Sequence, residues 1–262
     1  MNDIDKLQER ADRIDELQLR VRYGIEGEGP FIGRPCIHIH NLGDDEGLVR
    51  RDVEAAIIAA YKSYMDPERE PRVPWSALQI VFHSQDLSDS FQRCLASMLS
   101  SSDDTEEIVM LETYFPNIVI ETNGRTPLGP LLLDVLHLYP GDVHFVVTQY
   151  MPMIGQAFDP RSIMTYMRPK SEVNFKFVYD CGSFDAHQMA IGFQQLDELL
   201  AKYRTHQFLR PREAREPERY VWLIGSTPGG RPGSKACDVL QRFALSRGYN
   251  FTVGFSSPFS PR

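Results

Sequence analysis

No uninterrupted apolar run in the sequence approaches the roughly 20 residues that a bilayer span requires, and the opening residues, Met1-Asn2-Asp3-Ile4-Asp5-Lys6, are too polar for a signal peptide. The expectation is a soluble, cytoplasmic protein without a membrane partner. Cysteine is scarce as well: Cys36, Cys94, Cys181 and Cys237 are the four in 262 residues, with no C-x-x-C pair and no zinc-ribbon spacing. This excludes a disulfide scaffold and leaves free thiols as the expectation in a reducing compartment. Positive charge is the third deficit, 28 Lys+Arg against 36 Asp+Glu. An acidic body argues against duplex nucleic acid as a partner, because non-specific affinity for it comes from phosphate neutralisation. The deficit is uneven: residues 1–201 carry 17 basic against 32 acidic side chains, and residues 202–262 carry 11 against 4. The basic last quarter therefore remains suited to a small anionic ligand.

What is present in quantity is apolar material, 42% of the chain, enough for a large core and too much for disorder. Residues 1–24 form the first expected unit. Ile4, Leu7, Ala11, Ile14, Leu17 and Val21 recur at spacings of three and four, which predicts an amphipathic helix from Asp3 to Tyr23, stopped by Gly24. Its seam suits either packing on its own domain or a homodimer through residues 4–21.

Residues 25–262 are expected as a single α/β domain in which strand-like and helix-like runs alternate. Strands are predicted over 36–40, 78–82, 143–148, 175–179, 220–224 and 251–255, with one or two more over Ile108–Leu111 and Asn117–Glu121. Helices are predicted over 48–65, 87–99, 129–138, 186–203 and 235–247, the second capped by Asp86 or Ser88. Phe158 to Glu172, with two prolines and two methionines, breaks the rhythm and is expected as an insertion or lid. Adjacent apolar residues such as Val146-Val147 suggest strands buried on both faces, so the expected fold is a Rossmann-like three-layer sandwich with a mainly parallel sheet. In such sheets, ligands sit beyond the carboxyl ends of the strands.

Two loops at such ends carry reactive or anion-binding residue types. The first runs from Gly225 to Lys235, where Gly229, Gly230 and Gly233 permit inward-pointing amides and a following helix adds partial positive charge. Arg231, Ser234 and Lys235 add donors for a phosphate or carboxylate. Arg231-Pro232 stands where a P-loop has Lys-Ser/Thr, so this is a generic anion loop, with Gly225, Gly229, Gly230, Arg231, Ser234 and Lys235 as candidate contacts. The second runs from Asp180 to Asp185: Asp180 is a candidate base or hydroxyl-orienting group, and Cys181 or Ser183 the candidate reactive group. A helix N-terminus beside Cys181 is expected to favour its thiolate. Over six residues, Val178 to Ser183 resembles the first glycine motif of S-adenosylmethionine-dependent methyltransferases. It lacks that family's later glycines and the sheet that follows them, so no membership is inferred.

His38 and His40, at i and i+2, share one face of a strand, with Asp44, Asp45 and Glu46 beyond it. His83, at the tip of the next strand, joins them if the two strands are neighbours. A shared metal is one use of such a group, although no H-E-x-x-H or similar motif accompanies it and no metal ligand is assigned. Asp142 and His144 lie at the opposite end of a strand and receive no role. No G-x-S-x-G elbow is present, which lowers the expectation of a serine hydrolase. The functional expectation is a protein that binds a small nucleotide-like or otherwise anionic molecule between loops 180–185 and 225–235, with transfer chemistry as one use. No motif names a cofactor. The competing expectation is a non-catalytic interaction protein that works through its N-terminal helix.

Overall fold

The computed structural model describes residues 20–25, 29–31, 33–40, 50–64, 77–100, 116–152, 158–167, 171–182, 185–207, 220–227 and 235–255. Eight strands form one sheet: β1 (Arg20–Ile25), β2 (Pro35–His40), β3 (Gln79–His83), β4 (Asn117–Thr122), β5 (Val143–Met151), β6 (Glu172–Asp180), β7 (Val221–Thr227) and β8 (Asn250–Phe255). Their order in the sheet is their order in the chain; β1 is antiparallel to β2, and every later pair is parallel. Six helices accompany them among the described residues: α1 (Arg50–Tyr64), α2 (Asp89–Leu99), α3 (Pro130–Leu138), α4 (Pro160–Tyr166), α5 (Ala186–Gln207) and α6 (Lys235–Arg247). The α/β class and the mainly parallel sheet stand as expected.

Local chemistry fixes the helix starts. The Ser88 hydroxyl accepts a hydrogen bond from the Phe91 amide at 3.2 Å and begins α2, while Asp159 does the same for the Arg161 amide at 2.9 Å ahead of Pro160 in α4. Asp185 begins α5, its carboxylate accepting from the His187 and Gln188 amides at 2.8 and 3.2 Å.

The placement of the helices departs from a two-sided sandwich. Ile37 and Ile39, Ile80 and Phe82, Ile118 and Ile120, Phe145 and Val147, Phe175 and Phe177, and Leu223 all point to the same sheet face. The buried residues of all six helices join them in one apolar core. Sequential parallel strands, joined by connections of the one hand that such crossovers almost always take, put every described helix on one side, which is the physical reason. The opposite face has its own small apolar cluster, Cys36, Val81, Val119 and Val146 around Phe31. Phe31 sits in a short turn, Gly29–Phe31, that also lies against β7. On a flat sheet β2 and β7 would be about 24 Å apart, at roughly 4.8 Å per strand. One three-residue turn meets both ends because the sheet curls, with its helix-free face concave and Phe31 as a plug.

Two further expectations change. Of the helix predicted from Asp3 to Tyr23, residues 1–19 lie outside the described set, and Arg20–Tyr23 belong to β1, where Val21 pairs with Ile39 and Tyr23 with Ile37. Alternation of Val21 and Tyr23 with Arg20 and Arg22 suits an edge strand with one apolar side, so the expected boundary at residue 24 falls inside the sheet. The segment expected as an insertion or lid contains α4, with Ile163 and Tyr166 fully buried and the Phe158 ring 5.4 Å from that of Phe175. Tyr166 and Ser162 donate to the carbonyls of Thr126 and Arg125 at 2.5 and 2.8 Å, which ties α4 to the loop after β4. It is a crossover helix of the core. The strand expected near Ile108 lies outside the described residues.

Candidate functional site

Five neighbouring parallel strands contribute to the concave face around the Phe31 plug, β2 with three side chains and β3, β4, β5 and β6 with one each. From β2, the Cys36 thiol is 3.0 Å from His38 Nε2. His38 Nδ1 is 2.9 Å from His83 Nε2 of β3, and His83 Nδ1 is 3.0 Å from Glu121 Oε2 of β4. Glu121 Oε1 accepts from Thr148 Oγ1 of β5 at 2.5 Å and from Lys176 Nζ of β6 at 3.2 Å. The His40 ring stacks on that of His83, with centroids 4.1 Å apart and planes 11° from parallel. One connected chain of contacts thus runs across the curled sheet.

Electrostatics give the chain a direction. Burial opposes the charge on Glu121, but the Lys176 ammonium and the hydrogen bonds from His83 and Thr148 outweigh it and hold the carboxyl well below its usual range. An ionised carboxylate only accepts, so His83 donates its Nδ1 proton to Glu121. His83 Nε2 is then the acceptor for His38 Nδ1–H, and His38 Nε2 accepts in turn from the Cys36 thiol. Burial, aided by His83, lowers His38 to about 4; burial, with His83 and His38, lowers His40 to about 3. Both are neutral imidazoles at pH 7. The apolar floor of Val81, Val119, Val146 and Phe31 supplies the low dielectric behind these shifts.

The histidines that the sequence singled out without assigning them a role, His38 and His40, lie within this group, and His83 joins them because β2 and β3 are neighbours. As for a shared metal, no three His, Cys, Asp or Glu side chains converge as ligands among the described residues, and the closest ring nitrogens share a proton. Asp44, Asp45 and Glu46 lie outside the described residues. No protein-family model, curated protein or solved structure matches the chain. The geometry carries the functional reading by itself.

The two expected loops begin side by side. Asp180 pairs with Ser226 across β6 and β7, and the Cys181 amide donates to the Ser226 carbonyl at 2.8 Å. Asp180 is exposed at the strand tip and its carboxylate accepts from the Gly182 amide at 2.8 Å. It shares the concave face with Lys176, about 13 Å further along the strand at 3.3 Å per residue. Cys181 needs correction: it is buried on the helix side, where burial first, then Cys237 and Asp180, push its thiol up to about 12. It is a packed thiol and not an accessible thiolate. Gly225 needs correction too. It faces the helices, and a Cβ there would stand 3.2 Å from the Cys237 sulfur and 3.3 Å from that of Cys181, so its role is close packing of β7 on α6. Lys235 is the exposed first residue of α6. Ser183, Gly229, Gly230, Arg231 and Ser234 lie outside the described residues.

Cys36, Glu121, Thr148 and Lys176 are the members of the chain that sequence reasoning missed. A signal existed for two of them. Lys176 interrupts the apolar strand Val173 to Val178, and Glu121 ends Ile118-Val119-Ile120; a charge inside a parallel strand implies a buried partner.

Proposed function

We propose that the protein is an enzyme that moves a proton to or from a small anionic molecule bound on the concave face, at the carboxyl ends of the strands. The observation carrying this reading is the directed chain Cys36–His38–His83–Glu121 with Lys176 at its end. A histidine whose Nδ1–H is fixed on a carboxylate presents Nε2 as a base, and the carboxylate stabilises the imidazolium formed when that base takes a proton. His83 is the proton-transferring residue. A ligand hydroxyl or water replaces His38 at His83 Nε2, and Lys176 stabilises negative charge that develops nearby. His40, stacked on His83, fixes the ring plane. Asp180 and Ser226, paired at the tips of β6 and β7, lie at that end of the site. A site at the strand ends of a curled parallel sheet accords with where such sheets act.

The test is a panel of small anionic esters, spanning phosphomonoesters, phosphodiesters, sulfates and carboxylates, offered to the wild type and to His83→Asn and Glu121→Gln. Turnover of one class, lowered about 100-fold or more in both variants with the far-UV circular dichroism unchanged, is the expected result. Turnover that survives His83→Asn, or no turnover anywhere on the panel, overturns the reading.

A further inference from the structure

The contact between His38 and His83 sets a ring donor against a ring acceptor at 2.9 Å, so a molecule that enters at His83 meets both imidazoles. His83 is held in place, since Glu121 takes its Nδ1–H at 3.0 Å and the His40 ring lies on its face. His38 is held from behind by the Cys36 thiol, 3.0 Å from Nε2. When water takes the place of His38 at His83 Nε2, the Nδ1–H of His38 loses the one acceptor it has among the described residues. A half-buried donor left without a partner is destabilising, so binding favours a ligand that offers an oxygen there. The two rings then face one ligand in opposite roles, His83 accepting a proton and His38 giving one.

We infer that His38 is a second catalytic residue, the general acid of an ester hydrolysis: water gives a proton to His83 while the leaving oxygen takes one from His38, and Cys36 replenishes His38. This rests on the acid–base role of His83 and narrows the small anionic molecule to an ester. The step balances with water as the one co-reactant. The water oxygen bonds to the acyl, phosphoryl or sulfuryl centre as its proton passes to His83 Nε2. The bond from that centre to the leaving oxygen breaks, and that oxygen takes the Nδ1 proton of His38. His38 Nε2 takes the thiol proton in the same movement, so the ring stays neutral and Cys36 becomes a thiolate. A neutral imidazole is a very weak acid by itself, and drawing on the sulfur makes the proton given up in effect that of a thiol. After the products leave, His38 and His83 regain contact. The proton on His83 Nε2 crosses to His38 Nδ1, and the one on His38 Nε2 returns to sulfur, which resets the site.

Esters that differ only in their leaving group test the assignment: the ethyl and 4-nitrophenyl esters of phosphate, methyl phosphate, sulfate and succinate, offered to the full-length chain. Ethoxide needs a proton as it leaves, whereas 4-nitrophenolate departs without one at neutral pH, so the ratio of ethyl to 4-nitrophenyl turnover isolates the acid. That ratio is expected to fall about 100-fold or more in His38→Asn. It is expected to fall in Cys36→Ala and also in Cys36→Ser, because a serine hydroxyl holds His38 in place but yields its proton far less readily. In His83→Asn both esters are expected to slow together. An unchanged ratio in His38→Asn, with turnover kept or with equal losses on both esters, overturns the inference, and a wild-type ratio in Cys36→Ser overturns the part given to the thiol. Should His38→Asn fail to fold, His38→Gln takes its place. The two roles separate cleanly. An unchanged ratio in His38→Asn with His83→Asn inactive leaves the base alone; turnover that survives His83→Asn while the ratio still falls in His38→Asn removes the base and leaves the acid. No turnover of any ester by the wild type overturns both.

Discussion

The two faces of this sheet are built from alternate residues of the same strands, yet they bury different things. The helix side is filled with large apolar side chains such as Phe82, Phe145, Phe175 and Phe177. The concave side is filled at one end by Phe31 and a few small residues, and at the other by imidazoles, a carboxylate and an ammonium. The difference teaches how a curled sheet divides its labour. Its convex face holds the fold together by area, and its concave face holds charges at fixed distances.

The sharpest way to test that division is to remove area on one side and charge on the other. Phe177→Ala empties a fully buried site on the helix side and is expected to lower the unfolding free energy by about 4 kcal/mol in urea titrations. A loss below 1 kcal/mol would mean that this face is not the main apolar store. Lys176→Met strands Glu121 without its cation and is expected to cost about 3 kcal/mol, while Lys176→Met/Glu121→Gln recovers most of the loss. Recovery is the informative part, because no second charge change can refill the cavity left by Phe177→Ala.

Acid should attack the concave face alone. His38 and His40 have folded-state values near 4 and 3 against 6.5 when unfolded, so below pH 6.5 the unfolded chain binds protons that the folded chain refuses. Their contribution is complete above pH 6.5 and is lost as pH falls through 6.5 toward 4 and 3. Glu121, lowered in the fold, adds a loss of the same sign below its unfolded value of 4.5. Urea titrations should show stability falling by about 2 kcal/mol between pH 7 and 4.5, a slope that flattens in His38→Asn/His40→Asn. An unchanged slope in that variant would place the acid sensitivity elsewhere. The smallest effect belongs to neither face: Ser88→Ala removes the α2 cap for about 1 kcal/mol, with no change in the pH slope.

Much of the fold was legible in the sequence because period-two and period-3.6 patterns are local. The predicted helix over 235–247 is α6 itself, and each predicted strand from residue 36 to the chain end that falls on described residues overlaps an observed one. The layer arrangement was not legible, for a reason visible at Val146-Val147. Both residues are buried, which reads as a sheet covered on two sides, but Val147 packs on helices and Val146 on Phe31, more than 100 residues away in the chain. The candidate site shows the same limit. His38 and His40 announce themselves by spacing, whereas their link to Glu121 and Lys176 depends on β2 to β6 lying in sequential order, which no local pattern specifies.

That order has a consequence for how the chain acquires its structure. Each strand pairs with partners close in sequence, so its contacts close short loops, and sheet growth can follow synthesis strand by strand without waiting for distant segments. The turn at Gly29–Phe31 is made early and meets β7 late. The emerging half-sheet therefore carries its own plug before the last strands arrive to curl around it.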